Sequence, residues 1–357
     1  MARTMRAAVY HGPADVRIEE VQAPGSPGPG QLVVRVLRAA ICGTDAGEYR
    51  HGPKLVPLDA PHPHSGHQGP LILGHEFVGE VVEVGDGVTA FEPGDHVVTG
   101  AGVSCGTCPR CLEGRTNLCD AYFTLGLHVD GGLAEFAVTP ASICCAIPEG
   151  CPADAAVLSQ PLAVGLHALR RGRVGRDDAL AVVGVGGIGA MVVAGAHAQG
   201  VRIIVAIDLD DERLGAARAL GATHGLRPDD DVLAQLQRIT GGAGLDVIVE
   251  ATGAPPAPAL ALGAVRRGGR IVIVGLQARP VELDLFALAM NEIELIGALA
   301  HVFADDLPAA LAILAGSDLA QRCVDRTVGL DDLVDRGLVP LAEGRVNGKV
   351  VIDPSAR

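Results

Sequence analysis

Apolar and polar positions alternate in short runs through the first 150 residues: RAAVY, DVRIEEV, QLVVRVLRAA, FVGEVVEVG, DHVVTG and LAEFAVTP. Turn-rich separators such as GPAD, PGSPGPGQ and EPGD lie between them. Alternating β-rich runs bounded by Gly and Pro predict short strands and a compact β-barrel-like domain. From about residue 154 the pattern changes. ALAVVGVG leads into IGAMVVAGAHAQG, RIIVAID into DERLGAARALGA, and LDVIVEATG into PALALGAVRRGG and then RIVIVGL. Continuous apolar strands alternating with helical segments predict a parallel sheet covered on both faces. Beyond about residue 300 helix and strand mix again, ending in GKVVIDP, and this tail is expected to pack back on the first domain. The expected organisation is a first domain over 1–157, a doubly wound α/β domain over 158–299 and a return segment over 300–357.

The stretch 179–196 is uncharged for 18 residues and contains five glycines. A buried strand running into a packed helix explains it better than a membrane span, because no second span accompanies it. Aromatic residues are few (6 Phe, 3 Tyr, no Trp) against a hydrophobic content of 48%, so the core must be aliphatic. The formal charge of −14 repels phosphate backbones and argues against a nucleic-acid partner. The N-terminal MARTMRAAVYHG has no apolar signal region, and the cysteine number, nine, is odd. Both point to a reducing cytoplasm and to metal binding rather than disulfides.

Gly184-Val185-Gly186-Gly187-Ile188-Gly189 follows an apolar strand and opens a helix. In a G-x-G-x-x-G turn the first glycine allows the tight bend, the second lets backbone approach a pyrophosphate, and the third lets helix and strand pack closely. Asp208 ends the next strand, 19 residues past Gly189. An acid there receives the ribose 2′-OH of NAD and repels the 2′-phosphate of NADP. The nearest following arginine, Arg213, stands beyond three more acids, which favours NAD. The expected cofactor-binding set is Gly184, Gly186, Gly187, Ile188, Gly189, Asp208 and Arg213, with Thr252 and Gly253 at a later strand end. Cys105-x2-Cys108-x2-Cys111-x7-Cys119 is the most specific motif. Four thiolates on one loop fill a tetrahedral shell, so this zinc site is expected to be structural.

Further motifs run in order with these: VYHGPADVRIEEV, ICGTD, LILGHEFVGEVVEVGDGV, PGDHVV, DGGLAEF and QPLAVGLHAL. Together they resemble the medium-chain, zinc-dependent alcohol dehydrogenases nearly end to end, with the 2,3-butanediol and polyol dehydrogenase branch most similar. The resemblance implies a GroES-like β-barrel catalytic domain joined to a Rossmann domain, and two Zn2+ ions per chain with NAD. Alcohol dehydrogenase is itself the standing example of a Cys/His catalytic zinc. Here the resemblance implies ligation by Cys42 and His75, with Asp45 orienting His75, Glu76 beside the metal, and Thr44 bonded to the substrate oxygen. It further implies hydride exchange between a secondary alcohol, vicinal diol or polyol and NAD, in a homodimer or homotetramer. The apolar segment 293–300 is a candidate joining edge.

Two positions depart from the branch. Gln160 stands where a ligating Glu is usual. It is expected among the catalytic-zinc ligands with Cys42, His75 and Glu76, through its neutral, weaker amide oxygen. Either Glu76 is then drawn inward or zinc is held less tightly, the alternative being a water that completes the shell with Gln160 only hydrogen-bonded to it. Gly47 stands where a relay His is usual, leaving the proton path open; Glu48, Tyr49 and His51 are expected to be surface groups. His62, His64 and His67 are expected to form a substrate-domain loop, and Cys151 and Cys323 to be apolar fillers. Two other readings remain: a zinc-stabilised NAD-binding protein without turnover, and a zinc-free quinone or enoyl reductase, against which the metal-type residues argue.

Overall fold

In the computed structural model, which describes residues 3–229 and 231–356, the chain forms two compact units. One comprises Met1–Gln160 and Val302–Arg357, the other Pro161–His301. The first break therefore falls a few residues past 157, and the second just past 299.

The first unit opens with strands β1 (Thr4–Gly12), β2 (Asp15–Gln22) and β3 (Gln31–Ala40), helix α1 (Gly43–His51), then β4 (Leu71–Ile72), β5 (Glu76–Val84) and β6 (His96–Thr99). A lobe follows, built on β7 (Gly102–Val103), α2 (Pro109–Leu112) and β8 (Phe123–Thr124). Then come β9 (Phe136–Pro140), β10 (Cys144–Ala146) and α3 (Ala153–Ala156); α4 (Ser159–Arg171) begins at the end of this stretch and, from Pro161 on, belongs to the second unit. Each long alternating run of the sequence becomes a strand because one face is buried. Leu32, Val34 and Val36 of β3 point into a core with Tyr10, Leu71, Leu73, Phe77 and Leu133.

The second unit runs β11 (Ala179–Val183), α5 (Gly187–Ala198), β12 (Ile203–Ile207), α6 (Asp211–Ala219), β13 (His224–Leu226), α7 (Val232–Ile239), β14 (Leu245–Glu250), α8 (Ala257–Ala264), β15 (Val265–Ile273), α9 (Leu285–Met290) and β16 (Glu294–Gly297). All six strands are parallel, in the order β13-β12-β11-β14-β15-β16. The order reverses between β11 and β14, which creates the switch point where α/β sheets bind ligands. Every residue of β11 is buried, as a central strand covered on both faces requires. The uncharged stretch 179–196 is thus strand β11 and most of α5, and among the described residues no helix is long and apolar enough to cross a membrane.

The return segment adds α10 (Phe303–Ala315), β17 (Val324–Gly329) and β18 (Lys349–Asp353) to the first unit. Its strands complete a sheet of order β10-β6-β5-β3-β18-β17, with β9 also paired to β3. Val350 and Ile352 enter the first unit's core. Because Val351 and Ile352 pair with Ala40 and Ala39, the start of β18 lies beside Ile41, whose N–H donates to the Val350 carbonyl.

Candidate metal and dinucleotide sites

Cys42 ends the loop after β3 and stands just before α1. Asp45, three residues on, reaches back so that its Oδ2 accepts from the Cys42 N–H at 2.8 Å. That capping contact holds Asp45 fully buried next to the strand ends. His75 arrives on the turn between β4 and β5. Gly74 before it has φ +99°, and a Cβ there would meet Leu133 Cγ at 2.6 Å, so only glycine lets His75 approach. The donor atoms of Cys42, His75 and Glu76 all lie within 4.8 Å of one another.

The charges around this cluster are unusual for a protein interior. Asp45 Oδ1 lies 3.4 Å from His75 Nδ1, and Lys349 Nζ lies 2.5 Å from Glu76 Oε2. All four side chains are almost wholly buried. Burial alone would lower the His75 pKa, but Asp45 and Cys42 raise it well above the ordinary value. Burial also pulls Lys349 down, and Glu76, Cys42 and Asp45 more than offset it, leaving it raised. Asp45 and Glu76 thus face His75 and Lys349 in the protein interior, and Glu76 Oε1 has no hydrogen-bond partner. A divalent cation suits the Cys42, His75 and Glu76 donors and takes up the unpaired oxygen. Gln160, the fourth residue expected at this metal, is buried in the first turn of α4.

The lobe brings the other four thiols together, again within 4.8 Å. Cys119 Sγ accepts from the N–H groups of Cys105 (3.2 Å) and Ala121 (3.3 Å). Cys105 Sγ accepts from Thr107 N–H (3.5 Å) and Cys108 N–H (3.3 Å). Bonds from Thr107 bring the Cys105 thiol down to about 6, whereas burial pushes Cys111 up to about 12. Four thiols within this range of one another could hold one metal ion between them.

At the dinucleotide turn, Gly184 has φ +83° and a Cβ on it would meet Thr252 Cγ2 at 2.3 Å. A Cβ on Gly189 would strike the Gly184 carbonyl at 1.8 Å. Gly186 and Gly187 instead border open space, with Arg213 Nη1 the nearest atom, 3.9 Å from a Cβ on Gly186. The first turn of α5, including Ile188, therefore presents backbone N–H groups beside a guanidinium, which suits a pyrophosphate. Asp208 sits at the end of β12; its Oδ2 accepts from Val185 N–H (2.9 Å) and its Oδ1 from Asp210 N–H (3.1 Å). Thr252 and Gly253 follow β14, so the structure gathers all the expected cofactor residues along one edge of the sheet.

The model of the alcohol dehydrogenase GroES-like domain matches residues 28–149, and that of the zinc-binding dehydrogenases matches 187–316. The sorbitol dehydrogenase of Bacillus subtilis (strain 168) is 35% identical over 88% of this chain and 86% of its own. The crystal structure of 2R,3R-butanediol dehydrogenase from Bacillus subtilis covers 98% of this chain and 100% of its own, with 32% identity and a TM-score of 0.91. An alcohol dehydrogenase structure from E. coli CFT073, complexed with NADH, covers 98% and 99% at 27% identity and a TM-score of 0.87. This chain belongs to the medium-chain, zinc-dependent alcohol dehydrogenase family.

In this dehydrogenase the expected relay position offers room but no group: a Cβ on Gly47 would meet nothing within 4 Å. Glu48 is not the surface group expected. It is buried, and its carboxylate accepts from Lys54 N–H (3.0 Å) and Leu55 N–H (2.9 Å), because the loop after α1 folds back over it. Tyr49 packs half-buried against the core, and His51 is exposed. Thr44 Oγ1 lies 3.7 Å from Cys42 Sγ, at the mouth of α1.

The histidine loop has its own order. The His62 ring stacks on His128, centroids 4.3 Å apart, and His62 Nδ1 accepts from Ser65 N–H while His128 Nδ1 accepts from Thr124 N–H. Both Nδ1 atoms are thus acceptors, which places the ring proton on Nε2, the tautomer that cannot ligate through Nε2. Cys144 and Cys145 lie on β10 with alternate exposure, and Cys151 and Cys323 are buried. Two functional candidates lie outside the expected set: Lys349, a charged residue that opens the apolar run of β18, and Glu250, one that closes the apolar run of β14.

Proposed function

We propose that this chain is an NAD-dependent dehydrogenase of secondary alcohols, with vicinal diols and polyols as its substrate class, and that it also runs in reverse as a ketone reductase. The observation that carries this reading is the Cys42–His75–Glu76 donor cluster, left with an unpaired carboxylate oxygen. The relatives that act on sorbitol and butanediol support the substrate class. When bound, zinc supplies the Lewis acidity that acidifies an alcohol, and NAD the hydride acceptor. Cys42, His75 and Glu76 are the proposed ligands, Glu76 through Oε1, while Lys349 holds Oε2. Asp45 fixes the His75 ring by facing its Nδ1. Thr44 Oγ1 is placed to hydrogen-bond the substrate hydroxyl as the first group of the proton path. Gly186 and Gly187 leave room for the pyrophosphate, and the Asp208 carboxylate favours NAD over NADP. The four lobe cysteines hold a second, structural zinc.

An NADH-formation screen over the 2,3-butanediol stereoisomers, sorbitol and simple secondary alcohols tests the proposal, with metal analysis of the same sample. Diol-dependent NADH and two zinc ions per chain, falling to one in Glu76→Gln, are expected. NAD binding with no turnover on any alcohol would leave only the binding protein.

We further infer a homodimer or a tetramer built from such dimers. β16 is an edge strand, and Leu285, Phe286, Met290, Leu295 and Leu299 around it are exposed apolar side chains. Unpaired edge groups beside an apolar patch suit a second copy of the same edge. Leu295→Lys is expected to halve the mass seen by light scattering; an unchanged mass would remove this edge from the interface. The nine unpaired cysteines support a cytoplasmic location.

A further inference from the structure

Glu250 closes β14 with a carboxylate that is fully buried. Its Oε1 accepts from Thr252 N–H (2.7 Å), Gly253 N–H (3.0 Å) and the Thr252 hydroxyl. Its backbone carbonyl accepts from the N–H groups of Val274 (2.9 Å) and Gly275 (3.0 Å). One residue therefore ties the turn after β14 to the turn after β15. The turns interlock at van der Waals range: a Cβ on Gly253 would meet the Leu276 carbonyl at 2.5 Å. A Cβ on Gly275 would meet Gly253 N at 2.2 Å and Glu250 Oε2 at 2.6 Å.

Burying a carboxylate is unfavourable, and an apolar side chain could end this strand without that penalty. What the carboxylate supplies is one fixed backbone path for the Thr252–Gly253 turn, which packs against the Gly275–Leu276 turn at the ligand-binding edge. In a doubly wound sheet the two halves hold the two mononucleotides, and Asp208 assigns the adenosine to the half β11–β13. The half β14–β16 then takes the nicotinamide mononucleotide. We propose that Glu250 is a positioning residue for the nicotinamide half of the cofactor, acting through the Thr252–Gly253 and Gly275–Leu276 backbone. The inference rests on the dinucleotide-binding reading above.

A purely structural acid would affect every ligand of this unit alike, and a positioning acid only the half it shapes. Glu250→Ala is expected to weaken NAD and NADH binding about tenfold or more in calorimetric titration, while AMP affinity changes less than about twofold. Glu250→Gln, whose amide oxygen can still accept from all three donors, is expected to bind NAD within about threefold of the native protein. If Glu250→Ala does not fold, Glu250→Asp takes its place, since its carboxylate is withdrawn by one methylene and the same selective loss is expected. Parallel loss of AMP and NAD affinity overturns the positioning role. So does unchanged NAD affinity, or a Gln variant as weak as the Ala one. Native protein that binds neither AMP nor NAD would instead overturn the dinucleotide reading itself.

Discussion

The two oxygens of Asp208 are already engaged by Val185 and Asp210 N–H groups, so this acid both shapes the glycine turn and presents negative charge beside it. Asp208→Asn keeps one acceptor oxygen and removes the charge. It is expected to lower the NAD-over-NADP ratio of kcat/KM by about tenfold or more, equivalent to about 1.4 kcal/mol. An unchanged ratio would show that the ribose 2′ position lies elsewhere. His128 carries a pH prediction. Burial, with His62 stacked on it, lowers its pKa to about 4 from an ordinary 6.5. The unfolded chain therefore binds a proton that the folded one refuses between those values, and stability must fall as pH drops from about 6.5 towards 4. Urea unfolding at pH 7 and pH 5 should show a smaller loss for His128→Gln than for the native protein. The cysteine sites and His75 are present in both, so the difference isolates the stacked ring.

At the scale of elements, the lobe and the glycine turn were legible because their chemistry is local. Cys105 to Cys119 lie within one loop, and Pro109 begins α2 at a position where its missing N–H costs nothing. The N–H donors that tune these sulfurs come from the loop's own backbone. Cys111→Ser opens this site without touching the Cys42 cluster. It is expected to cut zinc from two ions to one per chain and lower Tm by roughly 5–10 °C, the equivalent of a few kcal/mol in a domain this size. Retention of both ions would exclude the four-sulfur site. The strands were equally readable: β3, β5 and β11 follow the alternating or continuous apolar runs that mark half-buried and fully buried strands. Glu48 was misread because nothing local shows that residues 53–55 fold back onto its carboxylate.

At the scale of the whole molecule, the Glu76–Lys349 pair joins residues from opposite ends of the chain. Lys349→Met leaves Glu76 as an uncompensated buried charge, which is expected to cost about 3–5 kcal/mol. Urea unfolding measures it, and the loss should be greatest after chelation, because a bound cation takes over the neutralising role of the lysine. A variant as stable as the native protein when metal-free would mean that Glu76 is neutral without its partner.

Periodicity and short spacings, which are properties of neighbouring residues, determined the α/β class with its barrel-like companion, the four-cysteine loop and the glycine turn followed by Asp208. The pairing of Cys42 with His75 as metal-type residues came only from the resemblance to the alcohol dehydrogenases. Tertiary structure alone decided that β18 returns beside Ile41, and that Lys349 thereby reaches Glu76. It also decided that Glu250 ties two turns together. Such contacts depend on which strands become neighbours, and strand order is set by packing of the whole core rather than by any local run of residues.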